Sequence, residues 1–543
     1  MHGQLRDEHA ACVRGRERPE KSRTSSGDPV TTRKAWAILA AMGFGALIAQ
    51  MFSTVIGPAL PTIRAELGLS LTEQTWTITA YSLAFGTALV AGGRMGDLVG
   101  EVRMIVAGFA LFGVGLVAAA VATNGGVLIA GRAIQGVGIG ISAPATLSIV
   151  VNSFPVIRRG LAVGVWGFAH GFGLLIGPLV AALILNIASW RWVFWIALPL
   201  TGLVIVVTGL ATRGYRSTLA SGSYDWLGLL VGGAGITLIT YGLQNSVAGW
   251  TTPGAWATLL TGVVLLLLFA ALETRTAYPL VDFALWRERL FTGGFVAQSA
   301  VGFVYIPMLT FIGSLFFITV LDYSPATASW VIVITTGTCM VFEPPAGKWV
   351  DKIGPGIPIT VALGLQAVAL FWMSTFGPDT ALAQMVVPLV LMGVGVGIAL
   401  PACNTAGMSA VDAERAGMGS GLMQMTFNIP AALGVAVVTS IIGTATSATV
   451  NNAVPDPSVR SVAQEYVAAV QAGDPATADM ILASLQPEVS EAVRQAAVIA
   501  ESTGITTAMV ALGVVALAGA VFAWIVIGRR RVPGALDVPQ GAR

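Results

Sequence analysis

The chain is poor in charged residues, cysteine and histidine. Only 10% of its 543 residues are charged, whereas a soluble domain has about 25%, so a soluble globular protein is excluded. The three cysteines are too few and too widely separated for a disulfide framework or a zinc site. Two of the three histidines lie in the polar N-terminal tail, and only His170 falls in an apolar segment. We therefore expect no metal and no cofactor.

Several catalytic patterns are also missing. There is no G-x-x-x-x-G-K-[ST] loop, so direct use of ATP is not expected. No H-E-x-x-H sequence and no comparable group of nucleophile and base accompanies His170, which leaves an intramembrane enzyme as a distant alternative. No segment alternates polar and apolar residues in the manner of barrel strands. We expect a protein that is not an enzyme and has no nucleic-acid partner.

Apolar residues are abundant. Hydrophobic residues make up 55% of the chain, and its mean hydropathy is +0.79. A membrane helix needs about 20 mostly apolar residues, because only a helix satisfies its own backbone in hydrocarbon. The sequence therefore predicts an all-α polytopic membrane protein. About fourteen spans are predicted, at residues 35–61, 74–93, 104–122, 127–151, 160–187, 191–211, 226–245, 254–272, 291–320, 326–346, 356–375, 382–403, 418–445 and 504–527.

Lysine and arginine are unevenly distributed between the loops. One set of alternating loops carries most of them, including Arg158 and Arg159, Arg213 and Arg216, and the run 529–531. Because positively charged loops stay in the cytoplasm, we predict a multi-pass protein of the plasma (inner) membrane with both termini cytoplasmic. That orientation requires an even number of spans, and twelve fits as well as fourteen if two segments do not cross.

Three segments are polar enough to lie outside the membrane. Residues 1–34 form a basic tail that we expect to be disordered, although a mis-set translation start also explains it, and residues 532–543 form a second cytoplasmic tail. The first apolar segment has no small-residue cleavage site, so it is predicted as a span and not as a signal peptide. Residues 446–503 form an acidic outside loop, predicted to be mostly helical from about 458 to 500 with a break at Pro487.

The pattern G-x-x-x-D-x-x-G occurs twice, each time between two predicted spans on the cytoplasmic side. Eight spans separate the two copies, so they face the same side and indicate a parallel repeat of two halves, as in many secondary transporters. The glycines allow a short turn and a close approach of two helix ends, and each Asp can bind a neighbouring helix N-terminus or an Arg and so lock one state. The predicted gating residues are Gly93, Asp97, Gly100, Arg103, Gly347, Asp351 and Gly354.

Together these motifs resemble the major facilitator superfamily, specifically its fourteen-helix drug:proton antiporter branch. The resemblance covers the chain from about Ala35 to Arg531. Besides the loop motif, it rests on L-I-A-G-R-A-I-Q-G-V-G-I-G with Arg132, on S-W-R-W-V-F from Ser189, and on D-W-L-G and G-W in the fourteen-helix insertion. It also rests on the helix-5 antiporter motif of this family, represented here by Gly164, Gly173, Gly177 and Pro178.

The chain departs from this branch at three places. Phe52 stands where the branch usually has an acidic residue in helix 1. The closing G-G of the helix-5 motif is Ala181-Ala182, and Phe427-Asn428 replaces the Arg-Gln that relatives often carry. The sequence therefore matches the scaffold of this branch well, but it lacks the proton-carrying carboxylate that the branch usually has in helix 1.

The resemblance implies a fold of two six-helix halves, at 35–212 and 291–531, with an inserted helix pair and its linkers at 213–290. The expected function is proton-coupled export of small lipophilic or amphiphilic compounds, such as drugs or antibiotics, by alternating access. The expected partners are the substrate, protons and the lipid bilayer, and a monomer is expected. A transporter of the same fold without proton coupling, or a flippase for lipid-linked molecules, is the alternative.

Three ionisable residues within predicted spans are candidates for proton coupling, because such groups are costly in a membrane. Arg132 either couples to substrate or proton movement through a charge partner, or it donates hydrogen bonds to backbone carbonyls or extends to the outer membrane–water interface. His170 titrates near neutral pH, or it is a neutral packed histidine. Glu343 precedes two prolines, and it either carries protons or pairs with Lys348 or Lys352. The candidates for the substrate path are polar and aromatic residues near the midplane, Gln50, Trp166, Phe172, Gln298, Tyr305, Asn404, Gln424 and Asn428.

Overall fold

The structure is a computed structural model that describes residues 32–220, 224–246, 253–276, 279–454, 456–471 and 475–528. The predicted tails lie outside these residues, except for 32–34. All regular elements in the described ranges are helical, and seventeen are α-helices. They are α1 Thr32–Thr54, α2 Ile56–Leu67, α3 Leu71–Val99, α4 Glu101–Ala120, α5 Gly125–Ser153, α6 Arg159–Ile187, α7 Arg191–Ala211, α8 Trp226–Ser246, α9 Pro253–Glu273, α10 Arg289–Thr310, α11 Pro325–Ile353, α12 Gly356–Met373, α13 Leu382–Ser409, α14 Ala416–Ala453, α15 Pro457–Gln471, α16 Pro475–Ala483 and α17 Pro487–Val526.

A helix coincides with each of the fourteen predicted spans. In the described part of the chain, eleven helical segments are long and apolar enough to cross a membrane. The other three coincident helices are α3, α8 and α11, of which α8 has a shorter apolar stretch, Trp226–Gly242. The protein is therefore an all-helical multi-pass membrane protein, while the number fourteen stays a prediction.

The first predicted span, 35–61, is two helices and not one. Helix α1 ends at Thr54, and α2 begins at Ile56. Pro58 explains the break, because a proline ring clashes with the carbonyl four residues earlier, which belongs to Thr54. Helix α2 then continues to Leu67, beyond the predicted end of the span.

Local sequence sets the start of several helices at the side that is predicted to face outward. Ser70 caps α3 in a capping box: its hydroxyl accepts the Glu73 N–H at 3.2 Å, and the Glu73 carboxylate accepts the Ser70 N–H at 2.9 Å. Asn124 caps α5 by accepting the Val127 N–H at 3.0 Å. Helix α11 begins with Pro325 directly after its capping residue Ser324, the position at which proline is favoured.

The helices pack as two groups, and the contacts within the first group are repeated in the second, which gives the fold an internal pseudo-symmetry. In the first group α3 and α4 pack on α5, α1 packs on α6, and α4 packs on α7; in the second, α11 and α12 pack on α13, α10 packs on α14, and α17 packs on α12. The two groups meet where α6 contacts α11 and where α3 contacts α14. Helices α8 and α9 pack on each other, and α8 contacts both α3 and α14. The proposed boundaries at 212/213 and 290/291 stay predictions.

The side that is predicted to face outward has two features besides the spans. Helix α10 continues as a π-helical stretch, Phe311–Val320. The acidic loop is helical as predicted, with Pro487 at the start of α17, but α14 extends outward to Ala453, so the connecting segment is shorter than 446–503. Apolar residues of α14, α15 and α17 form a small core there, including Val450, Val467 and Val493.

Candidate functional site

The first loop motif joins the two halves at the side for which the charge pattern predicts a cytoplasmic location. Asp97 lies near the end of α3, and its side chain is 3% exposed. Its carboxylate accepts the Gly417 N–H at 2.7 Å and the Met418 N–H at 2.9 Å, and these are the second and third residues of α14. Because the N-terminus of a helix has unsatisfied N–H groups and a partial positive charge, a carboxylate is a favourable partner there.

The second motif makes the same contact on the opposite side of the pseudo-symmetry. Asp351, near the end of α11, accepts the Gly160 N–H at 2.7 Å and the Leu161 N–H at 2.9 Å at the start of α6. Each motif therefore binds the N-terminus of a helix from the other half. We call these two contacts, Asp97 with α14 and Asp351 with α6, the clamps.

The motif glycines have two separate roles in the clamps. Gly93 and Gly347 allow the helices to touch, because a Cβ at either would collide with the carbonyl of Gly417 or Gly160. The closing glycines, Gly100 and Gly354, have φ of +106° and +87°, which L-residues with a side chain rarely adopt. Arg103 is exposed, and its guanidinium donates to the carbonyl of Val99 at 3.3 Å. The motif is thus mostly helix, with a turn of one or two residues.

Arg132 is buried in the first half without a carboxylate among its recorded partners. Its guanidinium donates to the carbonyls of Thr77 (3.2 Å) and Phe52 (3.4 Å) and to the side-chain oxygen of Gln135 (2.7 Å), and it lies 4.3 Å from the ring centroid of Tyr81. The geometry matches carbonyl binding more closely than a charge pair. The Phe52 side chain is buried and packs on Phe112, with ring centroids 6.1 Å apart.

The helix-5 motif is the surface of α6 that packs on both neighbouring helices. A Cβ at Gly173 would collide with the carbonyl of Leu47, and one at Gly177 with Met51 and Thr54, all on α1. A Cβ at Gly164 would collide with the backbone of α11 at Glu343 and Pro344. Pro178 lies next to this surface and is exposed. The spacing of these residues therefore sets the contact of α6 with α1 and α11.

Glu343 lies inside the α6–α11 interface. It is 2% exposed, and its side chain lies directly against Gly167. One carboxylate oxygen accepts the thiol of Cys339 at 3.5 Å, and the other has no hydrogen-bond partner. The alternative of pairing with Lys348 or Lys352 is not seen, since neither lysine takes part in an ion pair recorded among the described residues.

Four predicted residues line one cavity, which lies between helices of the first half and α14 of the second. Gln50, Trp166, His170 and Gln424 surround it, together with Phe85, Phe109, Ser142 and Thr146. Trp166 and His170 are stacked with ring centroids 5.6 Å apart. The residues that line the cavity include no Asp, Glu, Lys or Arg. The walls combine aromatic faces with amide, hydroxyl and imidazole groups, and in this state the cavity has a volume of about 20 Å³, enough for a water molecule.

The remaining substrate-path candidates do not line this cavity. Gln298 and Asn404 are buried in the second half and donate to the carbonyls of Met423 and Leu400, both at 2.9 Å. Tyr305 shares a hydrogen bond of 3.1 Å with Thr336. Phe172 stacks on Phe168, and Asn428 is exposed and donates to the carbonyl of Gln424 at 2.8 Å.

At the end of the bundle opposite the clamps, the S-W-R-W-V-F motif connects α2 to α7. Glu66 accepts the indole N–H of Trp190 at 2.7 Å and is bound by the guanidinium of Arg191, which also lies over the Trp190 ring. The hydrogen bonds from Arg191 and Trp190 lower the pKa of Glu66. Trp190 is 1% exposed, so this contact anchors the outer end of the first half.

Sequence reasoning missed several polar residues of the interior. Ser142 and Thr146 line the cavity, and their spacing of four on α5 is a helical-face signal that could have identified them. Glu101 is buried at the start of α4 and accepts from Ser148 at 3.1 Å and Asn152 at 3.4 Å. Its position beside the loop motif gave no sign that it is buried.

Two groups of six helices, matching clamps between them and a small cavity are the features of a membrane transporter. The chain belongs to the Major Facilitator Superfamily, whose family model matches residues 42–435. It is a transporter and not an enzyme.

Named relatives and solved structures agree with this family. The chain is 29% identical over 431 residues to the puromycin resistance protein pur8 of Streptomyces alboniger, covering 77% of this chain and 83% of the relative. It is 28% identical over 424 residues to the multidrug efflux pump LfrA of Mycolicibacterium smegmatis, covering 76% and 83%.

Two solved structures share the fold. The human organic anion transporter MFSD10 has a TM-score of 0.59 at 12% identity, covering 90% of this chain and 99% of that one. The proton:xylose symporter XylE has a TM-score of 0.58 at 13% identity, covering 93% and 98%.

Proposed function

We propose that the protein exports small lipophilic or amphiphilic compounds from the cytoplasm by alternating access, driven by protons moving inward. In this proposal it lies in the plasma membrane with fourteen spans and both termini in the cytoplasm. Support comes from the relatives, whose names describe puromycin resistance and multidrug efflux. It also comes from the positive charge of the loops that would be cytoplasmic.

The paired clamps carry the alternating-access part of the proposal. Each clamp joins a helix end of one half to a helix start of the other, by two hydrogen bonds of 2.7 and 2.9 Å. Both lie on one side of the bundle, so both must break before a central cavity can open to the cytoplasm. Two small sets of charge-assisted bonds can hold one state of a rocking bundle and still be released.

The cavity supports a lipophilic substrate. Its aromatic walls, Phe85, Phe109 and Trp166, provide apolar area and stacking surfaces, while Gln50 and Gln424 provide amides that both donate and accept hydrogen bonds. Gln424 comes from α14 and Gln50 from α1, so residues of both halves line the cavity. A ligand bound between them would be sensitive to the rocking motion.

Proton coupling is assigned to His170 and Glu343 in this proposal. His170 lines the cavity and stacks on Trp166. Glu343 lies in the adjoining α6–α11 interface with one unpaired carboxylate oxygen. The alternative of transport without proton coupling is supported by one specific observation: Phe52 occupies the position of the helix-1 acid, and Arg132 is bound to carbonyls instead.

Everted membrane vesicles that carry a pH-sensitive dye test both the export of lipophilic compounds and its coupling to protons. They would be energised and exposed to lipophilic cations, neutral antibiotics and amphiphilic acids in turn, with wild type, His170→Ala and Glu343→Gln compared. Substrate-triggered proton release by wild type supports antiport, and its loss in a variant assigns that residue to the proton route.

Export of a compound without any proton movement would favour the uncoupled alternative. Export by wild type that His170→Ala leaves unchanged in rate and pH dependence would remove His170 from the mechanism. A vesicle preparation with Asp379→Asn, an exposed acid at the outer side, controls for the effect of losing a carboxylate elsewhere.

A further inference from the structure

A buried carboxylate lies at the outer end of the second half, away from the cavity and the clamps. Glu501 is on α17, three residues before the predicted last span at 504–527, and it is 2% exposed. One carboxylate oxygen accepts the hydroxyl of Thr319 at 2.8 Å, and the other oxygen is buried without a hydrogen-bond partner. The sequence places Glu501 in an acidic outside loop, and its burial is a finding of the structure.

The residue that binds Glu501 belongs to the π-helical stretch Phe311–Val320. Such stretches are rare, cost stability and occur frequently at functional sites. The Thr319 hydroxyl also lies 2.5 Å from the carbonyl of Leu315, so a single hydroxyl is shared between the helix backbone and the carboxylate. Glu501 therefore receives at most one hydrogen bond from this element.

Among the residues that the structure describes, no ion pair of Glu501 is recorded. Helices α12 and α14, which pack on α17, have no titratable residue in their sequences, and neither does the π-helical stretch. From α15, the phenol of Tyr466 is close enough to interact with Glu501. The same helix carries Glu465 and Arg460, whose guanidinium donates to the carbonyl of Val454 at 2.9 Å. On α17 itself, Arg494 lies two turns away and binds Glu491 at 2.9 and 3.0 Å.

Two further charged groups near Glu501 interact electrostatically with Tyr466 and Arg494. They are Asp479 of α16 and Asp322 beyond the π-helical stretch. On α10, which also packs on α17, the titratable residues are Arg289 in its first turn and Tyr305, which is bound to Thr336. An ionised carboxylate with one hydrogen bond and no recorded ion-pair partner is costly when buried, and binding a proton removes that charge.

We propose that Glu501 is a proton-binding site that loads from the outer side of the membrane. The proton adds to the carboxylate oxygen that has no partner, while Thr319 continues to donate to the other oxygen, and the side chain becomes a neutral acid. This site rests on the proposed proton-driven export, to which it adds an entry point in the second half. Its helix contacts α14 through Thr446, whose hydroxyl donates to the carbonyl of Ala500 at 3.3 Å.

The first test uses purified full-length protein in liposomes and compares Glu501→Gln with Glu488→Gln, an exposed acid on the same helix. Glutamine imitates the protonated acid, so substrate exchange without a pH gradient should stay within about twofold of wild type. Accumulation driven by a pH gradient should fall by about tenfold or more. Glu488→Gln should retain both activities, and Glu501→Asp should recover part of the accumulation.

Three outcomes would overturn the assignment. Glu501→Gln could accumulate substrate as wild type does, or lose exchange and accumulation equally, which is the behaviour of a structural residue. Accumulation that follows a sodium gradient and not a pH gradient would make the site a sodium site. If wild type accumulates nothing, the proposed function fails, and Glu501 is then decided by the second test.

The second test does not depend on transport. Dicyclohexylcarbodiimide reacts with protonated carboxyl groups in apolar surroundings, and mass spectrometry of peptides locates the adduct. Folded wild type should be labelled at Glu501 and not at Glu488, with labelling that decreases as the pH rises. The substitution Thr319→Val removes the donor to the ionised form and should extend labelling to higher pH. No labelling of Glu501 at any pH in folded protein would overturn the proposal.

Discussion

The substitution Asp97→Asn changes the clamp between α3 and α14 while preserving its shape. The wild-type carboxylate accepts two N–H groups, from Gly417 at 2.7 Å and Met418 at 2.9 Å. Asparagine offers one oxygen and an NH2 group, so one bond is lost and the remaining one is no longer charge-assisted. We expect the state with a closed cytoplasmic side to lose stability relative to the open one.

The size of this effect follows from the two lost contributions. A hydrogen bond to a charged group contributes about 1.5–3 kcal/mol, and a negative charge at a helix N-terminus contributes about 0.3–1 kcal/mol. Asparagine retains part of the first contribution, so we expect a net shift of about 2–3 kcal/mol. That corresponds to a change of roughly 30- to 150-fold in the equilibrium between the two states.

Distance measurements between spin labels would detect this shift. Labels at Arg103 and Glu414, both exposed near this clamp, report its opening in a variant without Cys12, and the buried Cys339 and Cys403 should not react. Asp97→Asn should populate a longer distance and lower transport turnover much more than the amount of protein in the membrane.

Two variants complete the design. Asp351→Asn should behave in the same way at the second clamp, whereas Asp379→Asn, at an exposed turn, should change neither measurement. Wild-type distances and wild-type turnover in Asp97→Asn would refute the reasoning, because they would show that the duplicated motif only packs the helices.

Three further predictions follow from the geometry. Gly167→Val should lower transport several-fold with normal expression, because its side chain would collide with Glu343 in the α6–α11 interface; transport assays with Gly209→Val, at an open position on α7, provide the control. Trp190→Ala should destabilise the first half by about 3–5 kcal/mol, measurable as a lower midpoint of thermal unfolding. Glu66→Gln, which weakens a half-exposed ion pair, should change the unfolding free energy by less than about 1 kcal/mol.

Hydropathy and the duplicated motif predicted a large part of the fold. Long apolar segments have few alternatives to helices in a membrane, which is why every predicted span coincides with a helix. The clamps were also within reach of sequence reasoning, since a carboxylate next to a short glycine-bounded turn has few partners other than a helix N-terminus or an arginine. The break at Val55 was missed, although Pro58 signals it.

The sequence could not predict how each helix is rotated about its own axis, and therefore which of its residues face the cavity. Helices such as α6 are apolar on all faces, so no periodic pattern shows which residues face the cavity. Gln50 and Gln424 therefore could not be distinguished from Gln298, which is bound to a backbone carbonyl instead. The burial of Glu501 was hidden for a different reason, because it depends on a π-helical stretch from a distant part of the chain.

Concentrative transport by the purified protein in liposomes tests the central claim most directly. Molecules inserted with the cytoplasmic face outward would be given an acidic interior and equal substrate concentrations on both sides. The account predicts that substrate accumulates inside while protons leave, and that a proton ionophore abolishes the accumulation. Substrate that only equilibrates, with no dependence on the pH gradient, would contradict it.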